Sequence, residues 1–361
     1  MKILQVITSL NTGGAEKLLL DISPRLIKNG HEVDILTLRD SDTPFRRQLE
    51  KEGVKVYSVS VTMNYYNPLF CVKLYPFIKA YDVIHVHLFP TLYWVAFSNF
   101  FHRNKIPLVY TEHSTDNGRR KYRWLKWIEK IVYNQYERII AISEGVYKNL
   151  TLHLSPQIPV VIVHNGVDVD LISKAEAISF PFLFPNCKHI VQVASFRKQK
   201  DQDTVIRALS LLPDNYHLSF VGAGSRMEIC KSLATELNIE ERVHFLLQST
   251  KVPNILKSAD IVVMSSHYEG FGLAAVEGMA AGKPVLATNV SGLRDVVNDK
   301  DLLFEVGDYI ELANKIRMIS EHEDVYRKKS YACLQQAFQY DIQATVSGYE
   351  QVYKIVCQKN G

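Results

Sequence analysis

The sequence predicts an α/β protein with two parallel sheets, each flanked by helices. Three observations carry that expectation. Short apolar runs alternate with amphipathic stretches twice over, the pattern of strand–helix–strand units. Glycine-bearing turns close several of the apolar runs: Gly13-Gly14, Gly222-Ala223-Gly224 and Gly270-Phe271-Gly272. A chain of 361 residues is long for a single core, so two domains are expected.

In the first half, strands are predicted at Ile3–Thr8, Glu32–Leu38, Val54–Val59, Val83–His87, Leu108–Tyr110, Arg138–Ile142 and Val160–Val163. Helical patterns lie between most of them. The stretch from Asn165 to Pro185 has three acids, two prolines and no clear period, and reads as a linker. The second half predicts strands at His189–Ala194, His217–Val221, Val243–Leu247, Ile261–Met264 and Pro284–Ala287. A last helical pattern runs from Asp341 to Val356. The expected division is residues 1–165, 166–340 and a C-terminal helix in 341–361. Two such sheets would bind ligands at the carboxyl ends of their strands, in a cleft between the domains.

Composition narrows the class. Apolar content of 47% and charge of 22% are ordinary globular values. No apolar run reaches the ~18–20 residues of a membrane span. The opening Met1-Lys2-Ile3-Leu4-Gln5-Val6-Ile7 reads as a first strand, not a signal peptide. Five scattered cysteines fit a reducing, cytoplasmic setting. Residues 1–165 hold 21 Lys+Arg against 14 Asp+Glu, while residues 166–361 hold 21 against 24. The basic first half suits an acidic membrane surface, an anionic acceptor, or simply a solvated face.

The strongest chemical signal is Ser265-Ser266-His267-Tyr268-Glu269-Gly270-Phe271-Gly272-Leu273-Ala274-Ala275-Val276-Glu277. It follows a buried strand and opens an apolar helix. The glycines let backbone approach a ligand, and a helix start favours phosphate. Glu277 sits among apolar neighbours, so its carboxylate needs partners; sugar or ribose hydroxyls would serve. The bland reading is a loop acid and a salt-bridged core Glu.

This segment resembles the Glu-x7-Glu motif of retaining glycosyltransferases of family 4, which have two Rossmann-like domains facing across a cleft (the GT-B architecture). The resemblance implies that Glu269 contacts the donor sugar and that Glu277 holds the ribose. It covers nearly the whole chain. The Gly-Gly loop with Gly13, Gly14 and Glu16 matches the family's donor and acceptor border; a simple tight turn is the plain alternative. In Thr111-Glu112-His113-Ser114, His113 inherits the role of the histidine that approaches the transferred sugar. His85 reads as a core residue and His87 as a lesser candidate. His164-Asn165-Gly166-Val167-Asp168 resembles the family's hinge string.

In Ser195-Phe196-Arg197-Lys198-Gln199-Lys200, Lys200 matches the family lysine that neutralises the donor diphosphate. Ser195 stands where the family usually has Arg, and Arg197 is the candidate replacement. Gly222 lies where a Gly-x-Gly string borders the nucleotide; Met227 replaces a third glycine, which weakens an NAD reading. Phe271 and Leu273 bound the amides expected near the diphosphate, and Leu247 to Pro253 is expected near the base.

The resemblance implies a hexosyl- or N-acetylhexosaminyltransferase in surface polysaccharide biosynthesis. The donor would be a nucleotide sugar, most readily a UDP-sugar, and the acceptor a hydroxyl of a glycan or lipid-linked molecule. It implies no cofactor, no metal and no protein nucleophile. Arg119, Arg123, Lys126 and Lys130 would share a helix face beside Trp124, Trp127 and Ile131, which suits an anionic membrane surface; a packed helix with a solvated face is the plain alternative. No nucleic-acid motif accompanies these charges. A GT-B epimerase or phosphorylase-like enzyme and a non-catalytic partner subunit stay open as other readings.

Overall fold

The structure is a computed structural model. It describes residues 1–11, 13–40, 42–101, 105–114, 125–153, 159–247, 249 and 251–358. They form two compact units, Met1–Gly166 with Ile342–Gly361, and Val167–Asp341.

The first unit alternates strand and helix from its start: β1 (Lys2–Ile7), α1 (Gly14–Lys28), β2 (Glu32–Arg39), α2 (Pro44–Lys51), β3 (Lys55–Ser60), α3 (Phe70–Ile78), β4 (Val83–His87), α4 (Thr91–Phe100), β5 (Leu108–Glu112), α5 (Leu125–Tyr133), β6 (Arg138–Ala141), α6 (Glu144–His153) and β7 (Val160–Ile162). The strands form one parallel sheet in the order β3-β2-β1-β4-β5-β6-β7. Side chains alternate across a strand, so β1 feeds two cores. Ile3 and Ile7 join Leu18, Leu19 and Leu26 of α1 on one face. Leu4 and Val6 join Phe70, Leu74 and Leu92 on the other.

The second unit contains α7 (Val169–Ser173), β8 (Lys188–Val193), α8 (Gln202–Ser210), β9 (Tyr216–Val221), α9 (Met227–Glu236), β10 (Val243–Leu246), α10 (Val252–Lys257), β11 (Ile261–Met264), α11 (Leu273–Ala280), β12 (Val285–Thr288), α12 (Leu293–Val297), β13 (Leu303–Phe304), α13 (Tyr309–Glu321) and α14 (Glu323–Phe338). Its sheet is also parallel, in the order β10-β9-β8-β11-β12-β13. The last helix, α15 (Ile342–Gln358), belongs to the first unit. It lays Tyr349, Val352, Tyr353 and Val356 into the core shared with α1.

The fold class is therefore the expected one, with three local differences. The segment expected as linker carries α7, capped by Asp168, whose carboxylate accepts from the Leu171 N–H at 2.9 Å. Val169 and Ile172 of that helix are buried. The strand expected to stop at Tyr110 continues through Thr111 and Glu112. Both pair in register, with His87 and Ala141, and both side chains are buried with partners. Polar residues can extend a buried strand when their hydrogen bonds are met inside it. Finally, β13 is only two residues long, too short for an alternation to reveal.

Each sheet reverses its strand order once, between β1 and β4 and between β8 and β11. In open α/β sheets the ends of such strands are where ligands bind.

Candidate active site

In the second unit, the loops after β8 and β11 leave that switch point side by side, joined by hydrogen bonds. The His267 N–H donates to the Gln199 carbonyl at 2.8 Å. Gln199 Nε2 donates to the Tyr268 carbonyl at 2.8 Å. From the core side, Gln192 Nε2 donates to the Lys200 carbonyl at 3.1 Å and to Ser265 Oγ at 3.0 Å. Ser265 Oγ lies 2.9 and 2.8 Å from the carbonyls of Lys200 and Asp201. Thr288 Oγ1 donates to the Ser266 carbonyl at 2.6 Å.

This lacing brings the Lys200 ammonium onto the Glu269 carboxylate as an ion pair. Ser266 Oγ donates to the same oxygen at 3.2 Å. Both charged side chains are mostly enclosed, with 18% and 17% of their surface accessible. A pair at that depth is screened less than a surface pair, so the two residues act as an electrostatic unit. Arg197 is exposed and makes no ion pair among the described residues. Its N–H bonds the Ser195 carbonyl at 2.9 Å in the tight turn that precedes Lys200.

Glycines shape the same corner. Gly222 has φ +149°, and a Cβ there would lie 2.2 Å from the Ala194 carbonyl oxygen. Gly272 has φ +102° and is the N-cap of α11, where a Cβ would meet Leu293 Cδ2 at 2.6 Å. The internal bonds of α11 begin at Ala275 and Val276, both donating to the Gly272 carbonyl. The Leu273 and Ala274 amides stand before them, and the first amides of a helix are those it leaves for a ligand. Gly270 lies between these groups. Phe271 is 3% exposed and packs edge-on against Tyr340, with ring centroids 5.2 Å apart. Only its backbone can face a ligand. Glu277 is half-buried on α11. Gly278 beside it fits where a Cβ would come within 2.9 Å of Val262 Cγ1, which is why the helix can lie close on β11.

Gly292 was not singled out by the sequence. At φ +90° it caps α12, and a Cβ there would lie 2.6 Å from the Glu269 carbonyl oxygen. Ser266 was part of the motif but not named as a partner of Glu269. A turn signal, Asn289-Val290-Ser291-Gly292, was present, but the close approach to residue 269 is tertiary and leaves no local mark.

The other named residues lie in the first unit. Gly13 is the N-cap of α1 in an extended conformation. Glu16 folds its carboxylate back over it, so that a Cβ on Gly13 would meet Glu16 Oε2 at 2.4 Å. Gly14 opens the helix and is exposed. A carboxylate in the first turn complements the helix dipole and occupies the place an anion would take. His113 follows β5 and keeps part of its surface accessible. Its Nε2 lies 3.1 Å from His87 Nδ1. Burial pushes His113 down to about 4 and His85 and His87 well below the ordinary histidine range. All three are neutral at pH 7.

The basic stretch is only partly visible. Arg119, Arg123 and Trp124 lie outside the described residues. On α5, Trp127 is 76% and Ile131 59% exposed. Lys126 and Lys130 are on the same helix, and Phe100 and Phe101 are exposed at the end of α4. Gln248 and Thr250, in the segment expected near the base, also lie outside the described residues. Four Asp-x-Asp strings are present, at residues 40/42, 168/170, 201/203 and 299/301, and their acids are engaged within the chain. Asp168 caps α7 and Asp170 pairs with Lys174 at 2.7 Å. Asp40 and Asp42 pair with Arg46 and Arg47, Asp201 with His267 and Asp203 with Arg226, and Asp299 and Asp301 with Lys329. Among the described residues, no group of three or more acids, histidines or cysteines could hold a metal ion. Nor is any of their helices long and apolar enough to cross a membrane.

Comparison with known proteins adds the following. The model of Glycosyl transferases group 1 matches residues 174–336, and that of Glycosyltransferase Family 4 matches residues 12–171. N-acetyl-alpha-D-glucosaminyl L-malate synthase of Bacillus anthracis is 25% identical over 97% of each chain. D-inositol 3-phosphate glycosyltransferase of Mycolicibacterium gilvum is 30% identical over 80% of this chain and 72% of that one. The crystal structure of Anabaena HepE in complex with UDP and glucose superposes with a TM-score of 0.86 over 98% and 99% of the two chains, at 22% identity. That last likeness is one of fold.

Proposed function

We propose that this chain, which belongs to the group 1 glycosyl transferases, moves a sugar with retention from a UDP-sugar to a hydroxyl of a glycan or lipid-linked acceptor. The observation that carries the reading is the Lys200–Glu269 pair beside the glycine-opened start of α11. A cation, a carboxylate and helix amides within one corner suit a diphosphate joined to a sugar. HepE, described with UDP and glucose, supports the choice of base.

Lys200, Arg197 and the amides of residues 271–273 would stabilise charge on the leaving diphosphate. Glu269 would orient the sugar through its hydroxyls, and Glu277 would hold the ribose. Gly222 and Gly270 would admit the nucleotide close to the backbone. Gly13, Gly14 and Glu16 would border the reacting sugar, and His113 would contact it. The acceptor would attack from the face the diphosphate leaves, with a phosphate oxygen taking its proton. No protein nucleophile and no metal are required in this scheme.

The test is a panel of UDP-, GDP-, ADP- and dTDP-sugars, scored for binding and slow hydrolysis with and without EDTA. Turnover of a UDP-sugar unaffected by EDTA is expected. Binding to none of them, or turnover abolished by EDTA, overturns the scheme.

Two acceptor readings differ in what supports them. A lipid-linked acceptor is favoured by exposed Trp127 and Ile131, each next in sequence to a lysine, Lys126 and Lys130, a combination suited to peripheral contact with anionic lipid. Flotation with anionic liposomes tests it; equal recovery of the wild type and a Lys126→Gln, Trp127→Ser, Lys130→Gln variant rejects it. A small anionic acceptor is favoured by the excess of basic residues in 1–165 and by the malate and inositol phosphate in the names of two relatives. Transfer to such an acid without lipid present decides for it.

A further inference from the structure

The first unit contains a file of buried polar side chains that leads away from His113. Gln5 on β1 is in register with His85 on β4, and His87 on β4 with Thr111 on β5. These residues share one face of the sheet, and α15 covers it with Tyr349 and Tyr353, one turn apart. All six side chains are fully buried. Polar groups at that depth must be hydrogen-bonded to one another. His113 Nε2 lies 3.1 Å from His87 Nδ1, and His87 Nε2 2.9 Å from Gln5 Oε1. Gln5 Nε2 lies 3.0 Å from the Tyr353 hydroxyl, which is 2.6 Å from His85 Nδ1. His85 Nε2 is 2.7 Å from Thr111 Oγ1, and that hydroxyl is 3.5 Å from Tyr349.

The direction of each bond follows from one residue. Gln5 is the only member whose two ends have fixed and opposite roles. Its oxygen accepts, so His87 carries its proton on Nε2. A neutral imidazole has one N–H, so His87 Nδ1 is bare and His113 Nε2 must donate to it. At the other end the Gln5 amide nitrogen donates to Tyr353. The Tyr353 hydroxyl then donates to His85 Nδ1, and His85 Nε2 donates to Thr111. Counting one proton per ring is justified because burial holds His85, His87 and His113 neutral and keeps Tyr349 and Tyr353 protonated. Reversing the Gln5 amide would reverse every link and move the His113 proton to Nδ1.

We propose that Gln5 and Tyr353 are positioning residues: Tyr353 fixes the Gln5 amide, and Gln5, through His87, fixes His113 as the tautomer protonated at Nε2, with Nδ1 a hydrogen-bond acceptor. The functional value rests on the reading that His113 meets the transferred sugar. An imidazole with a bare Nδ1 accepts from a sugar hydroxyl, and the opposite tautomer would present a donor. The last helix of the chain thereby sets the chemistry of a side chain that follows β5.

The experiment is long-range 1H–15N correlation of the full-length protein labelled at histidine, with His113 assigned by a His113→Asn variant. In the wild type, His113 should show a protonated Nε2 and a bare Nδ1. Tyr353→Phe and Gln5→Leu should each yield a mixture of tautomers at His113. Tyr349→Phe, at the far end of the file, should leave it unchanged and controls for general disturbance of α15. In donor turnover, Tyr353→Phe should lower kcat by roughly three- to ten-fold with KM for the donor unchanged. A protonated Nδ1 in the wild type overturns the proposal even if neither variant folds. So does an unaltered His113 tautomer in both folded variants. If instead His113→Asn leaves donor turnover intact while the tautomers respond as stated, the sugar-contact reading fails and the tautomer relay stands.

Discussion

Replacing Gly292 with alanine tests whether the Glu269 loop is held by backbone contact. The new Cβ would lie 2.6 Å from the Glu269 carbonyl oxygen, 3.1 Å from the Gly270 carbonyl carbon and 3.2 Å from the Glu269 carbonyl carbon. Ordinary contact begins near 3.4 Å, so something must give by about 0.8 Å, and the neighbours are backbone. Gly292 cannot retreat freely, because its carbonyl accepts from the Val296 N–H at 3.1 Å in α12. The Glu269 loop is tied to Lys200, Ser266 and Gln199. A left-handed alanine adds roughly 1–2 kcal/mol of strain, and overpacking adds roughly 1–3 kcal/mol. A loss of about 2–5 kcal/mol lowers the melting temperature of a unit this size by about 4–20 °C. A shift approaching 1 Å in a group that orients substrate costs on the order of 10²-fold in turnover, so a fall of about 10- to 100-fold is expected. Gly282→Ala separates the two effects. Its φ is +74°, but nothing lies within 4 Å of the added Cβ, so only the strain should appear. Calorimetry and donor hydrolysis on both variants decide. Wild-type turnover in Gly292→Ala, with the same melting temperature as Gly282→Ala, refutes the reasoning.

Three further outcomes are expected. Glu277→Ala should weaken UDP binding by about 10- to 100-fold, the value of hydrogen bonds to a charged group, while Glu269→Ala should mainly lower turnover; titration calorimetry with unchanged UDP affinity in the first variant would remove the ribose assignment. Lys200→Ala should destabilise the protein more than Lys200→Ala with Glu269→Ala, because the single change leaves a half-buried carboxylate without its cation. Urea melts should give a coupling of about 1–3 kcal/mol, and strict additivity would show that the pair is not an electrostatic unit. The third outcome concerns acid. His113 and His189 are each pushed by burial to about 4, and burial holds His85 and His87 well below the ordinary histidine range. Their folded values lie below the unfolded value near 6.5, so the unfolded chain binds more protons as the pH falls. Stability is complete above about 6.5 and drops toward 4, by up to ~1.4 kcal/mol per pH unit for each histidine fully in its window. A melting temperature that stays constant from pH 7 to pH 5 would contradict this.

The fold was legible because both sheets are parallel and buried on two faces. Their strands are continuous apolar runs separated by amphipathic stretches, and that contrast survives in the sequence. Legibility failed where buried structure was made from polar residues. Thr111 and Glu112 read as a loop because their hydrogen bonds to His85 and Tyr133 come from distant parts of the chain. At the site, residues 200 and 269 were each visible in their own loops. Their pairing was not, since it depends on β8 and β11 being neighbours. Gly292 and Gln5 were missed for the same reason. A glycine in a turn and a glutamine in a strand become notable only when the atom they touch is known.

The two units consequently differ in how their chemistry is encoded. In the second unit the candidate residues are crowded into the loops after three neighbouring strands, β9, β8 and β11, and onto α11, and the glycines that allow the crowding are themselves part of the local signal. A motif of thirteen residues therefore holds much of that geometry. In the first unit His113 heads a chain of polar partners drawn from β1, β4, β5 and a helix more than two hundred residues away. Burial makes each link obligatory, because an unmet donor or acceptor there would cost roughly 1–3 kcal/mol. A change to α15, which a sequence motif would score as remote from any site, should thus alter His113 before it alters the Lys200–Glu269 pair. The Tyr353→Phe variant, read for UDP affinity alongside the His113 tautomer, puts that ordering to the test: lost nucleotide binding with an unchanged tautomer would invert it.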